Sequence, residues 1–307
     1  MRGQPRSAVG SHELPTEYAA GRFFVRPITT QGVALRLFTD TGGGNFLRQS
    51  AATRLGISSE SLSLDDKEVQ VASWPDFAAD AWIPSISLAD DPRPTELKGR
   101  LLILPHDEVR LDSDGMLGGA WFGGRTWTFD YPRGQLVFHA EAPEPDSSAR
   151  TSSLGFQTRA DRRRSMHFPS IEATIDEETY PFLFDTGATV YLTQQGQEHF
   201  GGPPQLATCF VTAWLFDQWQ QRHPGWPLLD VGDENVGGQP MIEVPVVTIA
   251  GIEAGPVWFT RRPDRNFHEY MSSMMDRKVE GALGGSLFQY FVITVDYPRA
   301  VAHFKAH

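Results

Sequence analysis

Residues 114–139 read DGMLGGAWFGGRTWTFDYPRGQLVFH, and residues 280–305 read EGALGGSLFQYFVITVDYPRAVAHFK. Laid one above the other without a gap, they share Gly-x-Leu-Gly-Gly, then Phe, then Thr-x-Asp-Tyr-Pro-Arg, then Phe. Chance rarely produces such a match, so the chain carries an internal duplication. Each copy reads as a tight glycine turn, an apolar strand, a DYPR turn and a second strand. WTFDY and VITVDY supply the first strand, QLVF and AVAHF the second.

A second pair of matched segments lies upstream. LRLFTDTGGGNFL (residues 35–47) and PFLFDTGATVYLT (residues 181–193) both run an apolar strand into Asp-Thr-Gly. The order strand, Asp-Thr-Gly, strands, Gly-Gly, strand, DYPR, strand therefore occurs twice. A lone Asp-Thr-Gly after a strand is commonly a turn, because Asp and Gly favour turns. Two copies in a duplicated frame are far more specific.

On these residues the chain resembles the aspartic peptidases of the pepsin and retropepsin group, over roughly residues 23–140 and 167–305. The resemblance implies an all-β, bilobal fold with two homologous lobes about a pseudo-two-fold axis and a cleft between them. It implies Asp40 and Asp185 as the catalytic pair, needing neither metal nor cofactor. Peptide hydrolysis requires a nucleophilic water and an electrophilic carbonyl at once. Two adjacent carboxyls that share one proton supply both, and they titrate as a unit. Thr41, Gly42, Thr186 and Gly187 support the active-site loops: the glycines for the bend, the threonines for bonds across to the opposite loop. Gly118-Gly119 and Gly284-Gly285 are expected beneath those loops, with Leu117 and Leu283 on the floor of each lobe. Asp130 and Asp296 sit where the DYPR turns need a turn residue and read as structural.

The departures are informative. A Ser or Thr usually follows Asp-Thr-Gly in pepsin-like enzymes and hydrogen-bonds the carboxylate; here Gly43 and Ala188 occupy those positions. Losing a donor to the charged form raises a carboxylate's pKa, so a less acidic pH optimum than pepsin's is expected. The flap hairpin of the first lobe normally carries a Tyr, and none lies between Asn45 and Asp114. Trp74 and Trp82 are the substitutes the sequence offers for substrate contact. The alternative to an aspartic endopeptidase is a catalytically silent relative that binds peptides or a protein partner in the cleft.

Around this frame the chain divides into an N-terminal tail (1–22), an N-terminal lobe (23–141), an interlobe linker (142–166) and a C-terminal lobe (167–307). APEPDSSARTSS and the basic run ADRRRS make the linker a solvated connector, with a processing site or anion patch at Arg162 to Arg164 as the alternative. Helices are expected over 213–223, within 45–57 and over 269–278; VPVVTI, PVWFT, RLLIL and SISL read as strands. With 307 residues, 40% of them apolar and 21% charged, the composition is that of a globular protein. A net charge of −11 leaves no basic surplus for nucleic acid. No apolar run is long enough to span a membrane as a helix, and no HExxH or Cys-x-x-Cys suggests zinc. The single cysteine, Cys209, reads as a small buried hydrophobe. Both aspartates lie on one chain, so a monomer acting on a peptide or protein substrate is expected. The initial Met, without an apolar leader, points to the cytoplasm unless an export signal has been removed.

Overall fold

The computed structural model describes residues 10–64, 67–105 and 112–307. The two duplicated blocks meet strand against strand: Thr126–Asp130 lies antiparallel to Phe291–Asp296, with Thr128 opposite Thr294. Those two residues are separated by the offset of the duplication itself, so a pseudo-two-fold axis passes between them. Their hydroxyls share a 2.8 Å hydrogen bond. Gln135–His139 and Val301–Ala306 flank the central pair, and Ser11–Glu13 and Arg150–Ser153 close the edges of a six-stranded sheet. The DYPR turns behave alike in both copies. Asp130 accepts the Arg133 backbone N–H (3.1 Å) and Asp296 that of Arg299 (3.0 Å), and each arginine also reaches back to its aspartate. Their expected structural role follows from those contacts.

Each lobe hangs a larger sheet from this base. The N-terminal sheet has eight strands, in the order Thr16–Ala19, Arg22–Val25, Leu37–Thr39, Gly115–Leu117, Phe46–Arg48, Arg100–Leu104, Lys67–Ser73 and Glu60–Leu64. Its last six strands have counterparts of the same order and sense in the nine-stranded C-terminal sheet. These run Glu178–Phe184, Gly281–Leu283, Cys209–Thr212, Val257–Arg262, Gln239–Val244 and Leu228–Asp233. The strand patterns fit half-buried sheets: Arg100–Leu104 buries Leu101 and Ile103 in strict alternation. Rings from both blocks meet in one core. Phe184 and Phe288 stack with centroids 4.5 Å apart, and Phe129 lies 6.5 Å from Phe184. Burying such a ring contributes roughly 1.5–3 kcal/mol.

Several expectations change. Of the two readings of the N-terminal segment, a mobile tail or a strand, residues 10–22 follow the second, with Ser11–Glu13 and Thr16–Ala19 paired; residues 1–9 lie outside the described residues. The linker contributes a strand, Arg150–Ser153, paired with Val301–Ala306, and its basic run is a tight hairpin closed by Arg159 N–H to Arg163 C=O at 2.8 Å. Hydrogen bonds absent from a flexible connector order both. SISL is not a strand: Ile86 is buried, but residues 85–88 join no sheet among the described residues. Helices form at Gln49–Arg54 and Ala213–Arg222, while the 269–278 segment makes a π turn, Asn266–Tyr270, followed by a 3-10 turn, Met271–Met274. No helix among the described residues is long and apolar enough to cross a membrane.

Candidate active site

Asp40 and Asp185 begin the loops that follow Leu37–Thr39 and Glu178–Phe184. Each loop is fastened to the Gly-Leu-Gly strand beside it. The Asp40 N–H donates to Leu117 C=O (3.0 Å) and the Asp185 N–H to Leu283 C=O (2.8 Å). Each carboxylate then accepts a hydrogen bond from the backbone N–H two residues on, Gly42 to Asp40 at 2.8 Å and Gly187 to Asp185 at 2.9 Å. A short residue able to bend here is what Asp-Thr-Gly supplies.

The threonines lock the two loops together across the axis. Thr41 Oγ1 donates to Phe184 C=O (2.7 Å) and accepts from Thr186 N–H (3.0 Å), while Thr41 N–H donates to Thr186 Oγ1 (3.2 Å). All of these groups are buried. The arrangement leaves no room beside the glycines. A Cβ on Gly187 would stand 2.1 Å from Asp40 Cγ, and one on Gly42 3.0 Å from Asp185 Cγ. Each aspartate therefore rests against the opposite loop, and the two carboxyls stand within hydrogen-bonding reach of one another.

The electrostatics follow. Burial is the largest cause acting on Asp40 and raises it above the ordinary carboxylate range, against hydrogen bonds from Asp185, Gly42 and Gly43. Asp185 is raised well above that range, first by burial, then by the charge of Asp40 and the bond to it. Two charges so close in a desolvated site cannot both persist, so the pair holds one proton between them. Both residues keep part of their surface open. A shared proton beside an ionised oxygen is a combined acid and base.

The structure brings together Asp40, Thr41, Gly42, Asp185, Thr186 and Gly187. Trp74 and Trp82 make their ring contacts elsewhere among the described residues. Trp82 packs on His12 and Phe138 of the six-stranded sheet, with centroids 5.2 and 6.1 Å away. Trp74 is half-buried at the base of the hairpin Glu60–Leu64/Lys67–Ser73, edge-on to Phe77. Both pack on neighbouring rings and keep part of their surface open. Among its described residues that hairpin meets the buried core at Val71 and Ala72 alone, which is the exposure of an arm projecting from the lobe. Its turn, residues 65–66, lies outside the described residues. Its counterpart is the hairpin Leu228–Asp233/Gln239–Val244.

One site residue, Cys209, escaped sequence reasoning as such. Asn45 Oδ1 accepts the Gly118 N–H at 2.9 Å, and in the second lobe Cys209 Sγ takes the same bond from Gly284 N–H at 3.3 Å. Asn45 follows its aspartate by five residues and Cys209 by 24, so no spacing revealed them as equivalents. Burial pushes the Cys209 thiol up to about 12, which makes it a packing and hydrogen-bonding group. Among the described residues no cluster of His, Cys, Asp and Glu is placed to hold a metal.

The chain is similar in structure to the aspartic proteinase from Irpex lacteus. The match has a TM-score of 0.56 and covers 96% of this chain and 97% of that one, at 11% sequence identity. The fold is that of a two-lobed aspartic proteinase. No family model matches the sequence, and a search of curated proteins finds no match either.

Proposed function

We propose that the protein is an aspartic endopeptidase whose dyad is Asp40 and Asp185. The observation that carries this reading is the mutual placement of the carboxyls, each bonded by its own glycine N–H and seated against the other's loop. The ionised carboxylate takes a proton from a water as that water attacks the scissile carbonyl. The protonated partner donates to the carbonyl oxygen, giving a tetrahedral diol. Collapse of the diol breaks the C–N bond, with a proton passed to the departing amine and the shared proton restored. The substrate is an extended peptide, held strand-like in the cleft beneath the paired strands Glu60–Leu64 and Lys67–Ser73. The elevated carboxyl pKa values support a working range less acidic than pepsin's. We further propose that the protein acts as a monomer, since one chain carries both aspartates, and that its compartment is the cytoplasm.

The test is cleavage of a random peptide library from about pH 2 to about pH 8, comparing wild type with Asp40→Asn and Asp185→Asn. Activity lost by about 10³-fold or more in both variants is expected. Folded wild-type protein that cleaves nothing, yet binds library peptides, would instead assign the cleft to peptide binding.

A further inference from the structure

The basic run that the dyad chemistry leaves unused helps to line a cavity. The hairpin 157–165 packs beside the loop 89–98 of the first lobe, enclosing about 650 Å³, a volume suited to a small ligand. Five cationic side chains and two carboxylates line it, an excess of positive charge in a chain of net charge −11. Part of that charge is already matched. Arg93 pairs with the buried Asp91 at 2.7 Å, and Arg163 leans towards Asp161 at 4.0 Å.

Lys98, Arg159 and Arg164 are different, because none has a carboxylate partner among the described residues. Arg159 Nη2 donates to Pro92 C=O at 2.7 Å, and Arg164 donates to Tyr297 C=O while lying 3.7 Å over the Phe156 ring. Carbonyls and a ring position a guanidinium without neutralising it, and they leave its other N–H groups free. Asp90, bonded to Ser87 Oγ at 2.8 Å, is the one opposing carboxylate left on the rim.

Two buried polar atoms add a separate indication. His167, 5% exposed, gives its Nε2–H to Asp90 C=O, and its Nδ1 has no partner. Arg125 Nη1 is likewise buried without a partner, in an adjoining cavity of about 490 Å³ that meets the first at Gly124 and Pro298. Unpaired buried groups are uncommon and ask for an explanation, and a ligand is one.

We propose that this cavity is a binding site for a small multivalent oxyanion, held by Lys98, Arg159 and Arg164, distinct from the dyad and independent of the peptidase reading. Planar guanidinium forks match phosphate and carboxylate oxygens in pairs, which suits a polyphosphate or a polycarboxylate better than a single halide. The ligand bridges the first lobe to the interlobe hairpin. Nucleic acid is disfavoured by the acidity of the remaining surface.

Calorimetric titration of the full chain with pyrophosphate and, separately, with citrate tests it. Saturable binding of one or both is expected, with Asp40→Asn protein binding as wild type does; which anion binds more tightly names the phosphate or carboxylate source. The double variant Lys98→Gln/Arg159→Gln alters two exposed side chains that support no core. It should unfold like wild type and bind at least about tenfold more weakly. Added salt should weaken the wild-type affinity. Absence of saturable binding of either anion up to about 10 mM, or equal affinity in the double variant, overturns the proposal.

Discussion

Replacing Thr41 with Val tests the crossed loops most directly. The substitution keeps the shape of the side chain and removes its hydroxyl. Two buried backbone groups then lose their partner: Phe184 C=O, which receives the hydroxyl at 2.7 Å, and Thr186 N–H, which donates to it at 3.0 Å. A buried polar group left unpaired costs about 1–3 kcal/mol, so Thr41→Val should destabilise the protein by about 2–6 kcal/mol. Thr186→Val strands only the Thr41 N–H, at 3.2 Å, and should cost about 1–3 kcal/mol. The sequence is symmetric here and the hydrogen bonds are not, so the ordering of the two variants is the test. Urea unfolding of each single variant and the double, read as midpoint and slope, gives the free energies. The double variant should cost less than the sum, because both substitutions break one network. A Thr41→Val protein within about 0.5 kcal/mol of wild type, or one more stable than Thr186→Val, would refute the account of the crossed loops.

The dyad makes a prediction about stability with a definite sign. Asp185 is raised in the folded state, so its favourable contribution is complete below its unfolded pKa and fades as pH climbs through the folded value. Asp185→Asn should therefore match wild type near pH 3 and be more stable at pH 7, by about 1.4 kcal/mol for each tenfold by which folding tightens proton binding at this carboxyl. Urea midpoints at both pH values measure it, and a less stable variant at pH 7 contradicts the assignment. Gly187→Ala should abolish peptidase activity and Gly42→Ala should reduce it less. The first places a methyl 2.1 Å from Asp40 Cγ, whereas the second meets a movable Leu183 methyl at 2.9 Å; initial rates on one peptide decide the order. Native Cys209, buried and with its thiol pushed up to about 12, should fail to react with an aromatic disulfide reagent at pH 8. The same protein in guanidinium should release one equivalent of chromophore, and rapid native reaction would show the strand Cys209–Thr212 to be accessible.

The parts of the fold that were legible are those repeated in sequence. Thr128 and Thr294 occupy the same place in the two blocks, and self-pairing of one segment with its copy puts them face to face. Asp40 and Asp185 were legible because a turn residue, a hydroxyl and a glycine recur together after two apolar strands. The tail and linker were not. Ser11–Glu13 and Arg150–Ser153 are short and polar, and they become strands only because the edges of the central sheet offer unpaired backbone groups. Trp74 and Trp82 are ambiguous for a related reason: an aromatic near a loop has the same local signature whether it meets a ligand or a neighbouring ring. His12 and Phe138, which hold Trp82, are far from it in the chain.

The unequal lengths of the lobes have one main physical source. Asp40 precedes Gly118 by 78 residues and Asp185 precedes Gly284 by 99, a difference of 21. The contacts of Asn45 and Cys209 divide that difference. From aspartate to its equivalent strand the count is 5 against 24, and from there to the glycine it is 73 against 75. Nineteen of the 21 extra residues thus enter at one point, directly behind the second Asp-Thr-Gly-Ala. They form the strand pair Thr189–Tyr191/Gln205–Ala207 and the helix Gln194–Phe200, whose N-terminus is capped by Thr193. This insertion reaches the other lobe. Ala207 N–H donates to Ala20 C=O at 2.9 Å, Arg22 Nη1 donates to Gln205 Oε1 at 2.8 Å, and Gly21 lies too close to Ala207 to carry a side chain. Beside the second active-site loop this brace joins the lobes in addition to the six-stranded sheet and the crossed threonines. The dyad geometry depends on carboxyls from separate lobes staying in register. An insertion that ties the N-terminal hairpin to the C-terminal lobe next to Asp185 therefore adds to the hold that the crossed threonines already exert on that register.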